Sequence, residues 1–134
     1  MDKALNSLSL GRKAGRIELG EEPVGAAARA KKARLILVAS DAGDHSWRRA
    51  KSFVAGTEQL CLKVPFTKDQ LGQAVGRTSL AIAAFTDPAL ALAFVKALDA
   101  PDAQVVEKLE ARTKRIAKRK NETKGKSRKV RKGK

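Results

Sequence analysis

The stretch GEEPVGAAARAKKARLILVASD, residues 20–41, contains two adjacent segments that decide the fold. The first predicts a helix from Pro23 to about Lys32, because its small apolar residues recur on one face at helical spacing. The second, residues 35–39, is apolar without alternation and β-branched at two positions, which is typical of a strand buried on both faces. A helix that leads into such a strand favours the α/β class, in which helices cover a sheet.

The rest of the body shows the same alternation of helical and strand-like segments. A first helix is expected to end near Gly11 or Gly15 and to lead into a short extended segment at 16–19. The remaining segments are a helix that stops at Gly56, a buried strand at 60–64, a helix opened by a Thr67–Gln70 capping box and ended by Gly76, a strand at 80–85 and a helix begun by Asp87-Pro88. This order predicts an α/β domain at 1–100, a three-layer α/β/α sandwich with a mixed sheet.

Positive charge is concentrated near the C-terminus. The chain of 134 residues has 29 Lys and Arg against 14 Asp and Glu, a net charge of +15. Residues 112–134 contain 13 of the basic residues and a single acid, a balance of +12, which leaves +3 for residues 1–111. The body is therefore expected to be nearly balanced in charge, with the excess outside it.

The chain changes character after residue 100. A basic extension is expected at 101–120, where apolar residues such as Val105 and Leu109 recur at helical spacing, followed by a disordered tail at 121–134. The tail has almost no apolar surface to bury, so it cannot repay the entropy of ordering. We interpret the basic segment as an arm that binds a polyanion; the alternative is a solvated tail that only aids solubility.

Cysteine content and hydropathy restrict the cellular setting. Cys61 is the only cysteine, so neither an intramolecular disulfide nor a cysteine-based metal site can form, which fits a reducing compartment. No apolar run approaches the roughly 20 residues that cross a bilayer, and the N-terminal segment lacks the apolar centre of a signal peptide. We therefore expect a cytoplasmic protein without a membrane partner.

The sequence offers little support for an enzyme. His45 is the only histidine, and its adjacency to Ser46 does not place a base on a nucleophile. Cys61 lies in a predicted apolar strand, where a buried thiol is usually inert. The segment GRKAGR at 11–16 lacks the spacing of a phosphate-binding loop. We expect no catalytic residue, no metal, no cofactor and no small-molecule substrate.

Three segments of the body resemble one family of RNA-binding proteins. They are AGRIELGEEPVGAAARAKKARLILVASDA at 14–42, LGQAVG at 71–76 and LAIAAFTD at 80–87. In order and spacing they resemble the kink-turn RNA-binding ribosomal protein superfamily, and most of all its small bacterial ribosomal-like members. The resemblance covers roughly residues 3–98 and implies an α/β/α domain that binds structured, ribosomal RNA.

The resemblance also implies which residues contact RNA. Family members dock on RNA with the start of the second helix and with the loop before the last strand. In this sequence the corresponding residues are Gly20, Glu21 and Glu22, and Arg77 and Thr78. Two groups of cations are expected to extend the positive surface: Arg12, Lys13 and Arg16 before the helix, and Lys114, Arg115, Lys118, Arg119 and Lys120 in the basic extension.

The two carboxylates at the helix start admit two interpretations. Glu21 and Glu22 can act as a structural cap, since acidic side chains there meet the positive end of the helix dipole. They can also contact RNA, because a carboxylate accepts hydrogen bonds from a guanine edge. Family members that bind kink-turns tightly carry a lysine further along this helix, where this chain has Gly25 or Ala26. We therefore expect the body to recognise RNA shape weakly and the arm to supply most of the affinity.

The sequence thus favours a non-enzymatic RNA-binding protein associated with the ribosome or with ribosomal RNA. Trp47, Phe85 and Phe94 fall on predicted core positions, which favours structured RNA over a bare strand that would stack on exposed rings. DNA stays open as a target, since cations alone do not distinguish the two. The alternative from another class is a protein-interaction module that docks on a translation or RNA-processing factor.

Overall fold

The computed structural model describes residues 2–116. Its helices and strands, in chain order, are α1 (Lys3–Lys13), β1 (Ile17–Leu19), α2 (Glu21–Arg29), β2 (Leu35–Val38), α3 (Gly43–Val54), β3 (Leu60–Lys63), α4 (Lys68–Ala74), β4 (Ile82–Phe85), α5 (Pro88–Lys96) and α6, a helix from 103 to 116. The strands form one sheet in the order β1-β4-β2-β3. Strand β4 runs antiparallel to both its neighbours, and β2 runs parallel to β3, so the predicted mixed sheet is confirmed. The predicted tail at 121–134 lies outside the described residues.

Helices cover both faces of the sheet, which confirms the three-layer sandwich. In β2, Leu35 and Leu37 face a core layer that is shared with α1, α4 and α5, while Ile36 and Val38 face α2 and α3. All four side chains are fully buried because β2 has a strand on each side and helices on each face. Because both faces of β2 are covered, every residue from 35 to 38 is apolar, without the alternation of a half-exposed strand.

Helix caps foreseen from the sequence are present. The Thr67 side chain accepts from the Gln70 N–H at 3.2 Å, and the Gln70 side chain accepts from the Thr67 N–H at 2.9 Å. The Asp87 carboxylate accepts from the Ala89 N–H at 2.9 Å, and proline follows it in the first turn of α5. Both pairs satisfy N–H groups that a helix start leaves without a partner.

Helix α2 begins and ends earlier than predicted. It spans Glu21–Arg29 rather than Pro23 to Lys32. Gly20, with φ at 96°, is the N-cap, which a glycine tolerates without steric cost. The N–H groups of Lys31 and Lys32 donate back into the last turn at 3.0 and 2.8 Å, with Lys31 in the left-handed region at φ 58°. This Schellman arrangement ends the helix before Lys32.

Strand β3 is an edge strand, whereas the sequence predicts a strand buried on both faces. Within residues 2–116 it pairs with β2 alone, and its residues are half-buried or, at Lys63, exposed. Leu60 and Leu62 pack against one core layer and Cys61 against the other. The strand is therefore apolar on both faces, yet its open side leaves those residues only partly covered.

Helix α6 belongs to the folded body. Asp102 caps it by accepting from the Gln104 and Val105 N–H groups at 3.0 and 3.2 Å. Val105 and Leu109, 8% and 0% exposed, join the core layer of α1 and α5. The expected boundary after residue 100 is thus not the limit of the core, because this helix buries apolar residues at i and i+4. Within residues 2–116, no helix is both long and apolar enough to span a membrane.

Candidate nucleic-acid interface

The start of α2 and the loop before β4 meet at one end of the sheet. The Gly20 N–H donates to the Ile82 carbonyl at 3.0 Å, which fixes the helix start beside the first residue of β4. A Cβ on Gly20 would lie 3.8 Å from Nη1 of Arg77, so the guanidinium stands over the helix tip. Gly20, Glu21, Glu22, Arg77 and Thr78 are therefore neighbours, and we call this surface the docking face.

Two features of the docking face suit an anion. Gly20 provides no side-chain cap, so the N–H groups of Glu21 and Glu22 stay available to an acceptor at the positive end of the helix dipole. Arg77 and Thr78 are exposed and add a cation and a hydroxyl. The arrangement combines backbone donors with a side-chain cation on one surface.

The loop that carries Arg77 is held against α4 at Gly72. The Arg77 N–H donates to the Gly72 carbonyl at 2.8 Å. A Cβ on Gly72 would lie 2.8 Å from both the Arg77 carbonyl oxygen and the Ser79 nitrogen, which real contacts essentially never reach. Only a glycine allows the loop to approach the helix this closely. The position of Arg77 thus depends on a buried glycine.

The two carboxylates at the helix start differ in their surroundings. Oε1 of Glu21 accepts from Nε of Arg49 at 2.6 Å, and Arg49 also lies over the Phe53 ring at 5.2 Å. Glu22 is exposed and belongs to neither of the ion pairs formed among residues 2–116. Glu21 is therefore neutralised by α3, which the sequence did not indicate, while Glu22 remains a free carboxylate at the rim of a cleft of about 750 Å³.

The predicted cations before the helix lie at the other end of the sheet. Ile17 pairs with Phe85, and Leu19 pairs with Ala83, so Arg16 and Gly20 flank opposite ends of β1. The Arg16 carbonyl accepts from the Thr86 N–H at 2.9 Å, beyond the end of β4. Arg12 and Lys13, in the last turn of α1, accompany Arg16 there, since the Arg16 N–H donates to the Gly11 carbonyl at 2.8 Å. These three residues do not extend the docking face.

A second cluster of cations surrounds a cleft of about 520 Å³ at the C-terminal end of α2. Lys31, Arg34, Glu58 and Arg112 line it, and Arg115 joins Arg34, Glu58 and Arg112 around an adjoining cavity. We call this group the arginine cleft. Its floor is Gln59, which is buried and accepts from the Ala33 N–H at 3.0 Å while it donates to the Ala28 carbonyl at 3.1 Å.

The basic extension divides at the end of the described residues. Lys114 and Arg115 are exposed on α6, whereas Arg112 is buried. Lys118, Arg119 and Lys120 lie outside the described residues. Sequence reasoning counted Arg112 among the cations of the arm and missed its burial, although its spacing of seven from Val105 and three from Leu109 places it on the apolar stripe of α6.

The two residues considered for catalysis, His45 and Cys61, lie on different elements. His45 is exposed in the first turn of α3, and Cys61 is half-buried on β3, where burial raises the pKa of the thiol and the Lys51 ammonium opposes that rise. No group of three or more His, Cys, Asp or Glu side chains that could hold a metal comes together in the described part of the chain.

Known proteins are similar to this chain in fold. Neither a protein-family model nor a curated protein sequence matches it. A protein of unknown function from Bacillus halodurans shares 23% identity with a TM-score of 0.60, over 83% of this chain and 96% of that one. The 15.5-kD RNA-binding protein of Giardia lamblia shares 20% identity with a TM-score of 0.55, over 81% of this chain and 86% of that one. The chain thus shares its fold with these two proteins.

Proposed function

We propose that this protein binds structured RNA, ribosomal RNA being the expected target, through the docking face. The observation that carries the proposal is the placement of Arg77 beside Gly20, within about 4 Å of the position that a Cβ on Gly20 would occupy. A cation, a hydroxyl and uncapped backbone donors on one surface can hold phosphate and sugar groups of a folded RNA. The RNA-binding protein from Giardia lamblia, which has a similar fold, supports the assignment at this coarse level.

The local charge explains how the docking face would recognise RNA. Three arginines, Arg77, Arg49 and Arg29, lie near the two carboxylates Glu21 and Glu22, so this surface carries only a small excess of positive charge. Binding there depends on fit and on a few directed hydrogen bonds rather than on attraction to any polyanion. Glu22, which pairs with no cation among residues 2–116, is available to accept from a guanine edge. The affinity of the docking face alone is therefore modest and shape-dependent.

Replacing Arg77 with alanine tests the proposal. The full chain is titrated into a fluorescent RNA hairpin with an internal loop, and the dissociation constant is read from anisotropy. Loss of one charge-assisted hydrogen bond should weaken binding roughly tenfold. Arg48→Ala is the matched control, because Arg48 is an exposed arginine on α3 that lies on neither the docking face nor the arginine cleft.

The result that contradicts the proposal is equally specific. If Arg77→Ala weakens binding no more than Arg48→Ala, the docking face does not hold RNA. If Glu22→Lys also leaves the affinity unchanged, the alternative of a module that docks on a translation or RNA-processing factor becomes the better explanation.

A further inference from the structure

Arg112 occupies a core position that an apolar residue would be expected to fill. Helix α6 directs Val105, Leu109, Arg112 and Ile116 along one stripe, with spacings of four, three and four. Val105 and Leu109 pack into the core, and Arg112 is only 7% exposed. Arginine is almost never this buried unless it is paired. The position therefore requires an explanation other than packing.

Arg112 has no counter-ion within the described part of the chain. Neither ion pair formed among residues 2–116 includes it, and no described residue accepts a hydrogen bond from it. Burial lowers the pKa of its guanidinium; Glu58 opposes that shift, whereas Arg34 and Arg115 add to it. The arginine cleft thus holds four cations against one carboxylate that does not pair with any of them.

Arg34 adds an unsatisfied donor to the same cleft. Its Nε is buried and has no hydrogen-bond partner among residues 2–116. Arg34 and Arg112 both line the two cavities of the cleft, which brings the two arginines together around one space. Guanidinium forks bind the oxygens of phosphate and carboxylate groups in a bidentate manner. The two arginines therefore have the chemistry of an oxyanion site.

We propose that the arginine cleft binds a backbone phosphate of RNA, and that this RNA segment is different from the one held at the docking face. The inference rests on the proposed function for the identity of the polymer. The two surfaces lie at opposite ends of α2, whose nine residues span about 13 Å, so a single phosphate cannot reach both. The protein would then bridge two segments of one folded RNA.

The surroundings of the cleft favour RNA backbone over a free anion. Arg34 precedes β2 and Arg16 precedes β1, and the end of β4 lies between them. The cleft therefore shares its end of the sheet with Arg12, Lys13 and Arg16. The sequence after residue 116 adds ten further Lys and Arg. A cleft within such a surface suits a polymer that carries many phosphates.

The test compares Arg112→Met with Arg48→Met in the full chain. Both variants lose one arginine, and methionine fits the apolar stripe of α6. Binding to a short RNA duplex is measured over a range of salt concentrations. We expect Arg112→Met to weaken binding roughly tenfold and to lower the salt slope by about one, and Arg48→Met to leave both nearly unchanged. In a urea titration Arg112→Met should unfold no earlier than the unmodified chain, because methionine keeps the apolar contacts of the stripe and no ion pair formed among residues 2–116 is lost.

An NMR experiment reports directly on whether Arg34 contacts the RNA. In the ¹⁵N-labelled full chain, the Nε–Hε resonance of Arg34 should shift when the RNA duplex is added, and inorganic phosphate should produce a weaker shift of the same resonance.

Two results would overturn the inference while the proposed function stands: equal salt slopes for the two methionine variants, or an Arg34 resonance that responds to inorganic phosphate alone. If the unmodified chain binds no RNA, the proposed function fails as well.

Discussion

The two ends of helix α2 present cations in opposite ways. Around the N-terminal end, the exposed Arg77, the paired Arg49 and Arg29 lie near two carboxylates, and the local charge is nearly balanced. At the C-terminal end, Arg34 and Arg112 are wholly or partly buried without a partner among residues 2–116, and only Glu58 opposes them. Balanced charge favours recognition of shape, and unbalanced charge favours phosphate of any sequence. On the two proposals above, the docking face would supply specificity and the arginine cleft would supply attraction to phosphate.

Removal of the arm, here the residues after 116, should produce the largest change in the salt dependence of RNA affinity. Ending the chain at residue 116 keeps α6 and removes ten Lys and Arg together with Glu122. If the arm neutralises about six phosphates, the intact chain should lose about a thousandfold in affinity between roughly 50 and 200 mM salt, and the truncated chain far less. A salt titration with the RNA hairpin measures both.

A shorter chain separates the arm from the arginine cleft. Ending at residue 111 also removes Arg112, Arg115 and the last turns of α6. Its salt slope should be lower than that of the chain ending at 116, and circular dichroism verifies that both remain folded. If the salt slope is the same for the intact chain and for the chain ending at 116, the arm is only a solvated tail. The affinity for RNA then comes from the docking face and the arginine cleft.

Gly72→Ala should have the next largest effect, because it strains the fold where the loop that carries Arg77 packs on α4. The added methyl group would meet the backbone of Arg77 and Ser79 at 2.8 Å, and backbone cannot move aside as a flexible side chain can. We expect a loss of about 2 to 3 kcal/mol in the free energy of unfolding by urea. Gln73→Ala, at the next and exposed position of α4, is the control.

The same variant tests how far the two ends are independent. Displacement of the loop should weaken binding to the hairpin, which depends on Arg77, and leave binding to the duplex nearly unchanged. An equal loss for both RNAs would show that the ends act as a single surface.

Local features of the fold could be predicted from the sequence, because they depend on residues close in the chain. The Thr67–Gln70 capping box and the Asp87 cap need only neighbours three or two residues away. The apolar stretch of β2 likewise shows its own burial on both faces. These predictions are confirmed, because propensity, capping and hydrophobic spacing all indicate the same element.

Features that depend on how strands pair could not be predicted in the same way. The position of β3 at the edge, and the separation of Arg16 from Gly20, follow from the strand order β1-β4-β2-β3. A run of apolar residues does not reveal whether a strand has one neighbour or two. The pairing of Glu21 with Arg49, which is 28 residues away, is likewise a tertiary contact. The docking face could be named only through a resemblance, and the arginine cleft could not be named at all.

The smallest expected effects are changes in the free energy of unfolding caused by the backbone conformation at the two ends of α2. Gly20 has φ 96° and ψ 161°, a region that is essentially restricted to glycine, whereas Lys31 has φ 58°. Gly20→Ala should therefore lower the free energy of unfolding by about 2 kcal/mol. Lys31→Gly should raise it by about 0.5 kcal/mol, because relief of left-handed strain slightly exceeds the added entropy of the unfolded chain.

Urea titrations of both variants measure this contrast, and Lys32→Gly is the control for Lys31→Gly. Lys32 is an exposed lysine immediately after the left-handed position, so its replacement removes the same charge without relieving strain. Lys32→Gly should be neutral or slightly destabilising. If Lys31→Gly and Lys32→Gly are equally stable, any stabilisation arises from lower repulsion among the cations near the arginine cleft. The backbone at this end of α2 then carries no strain.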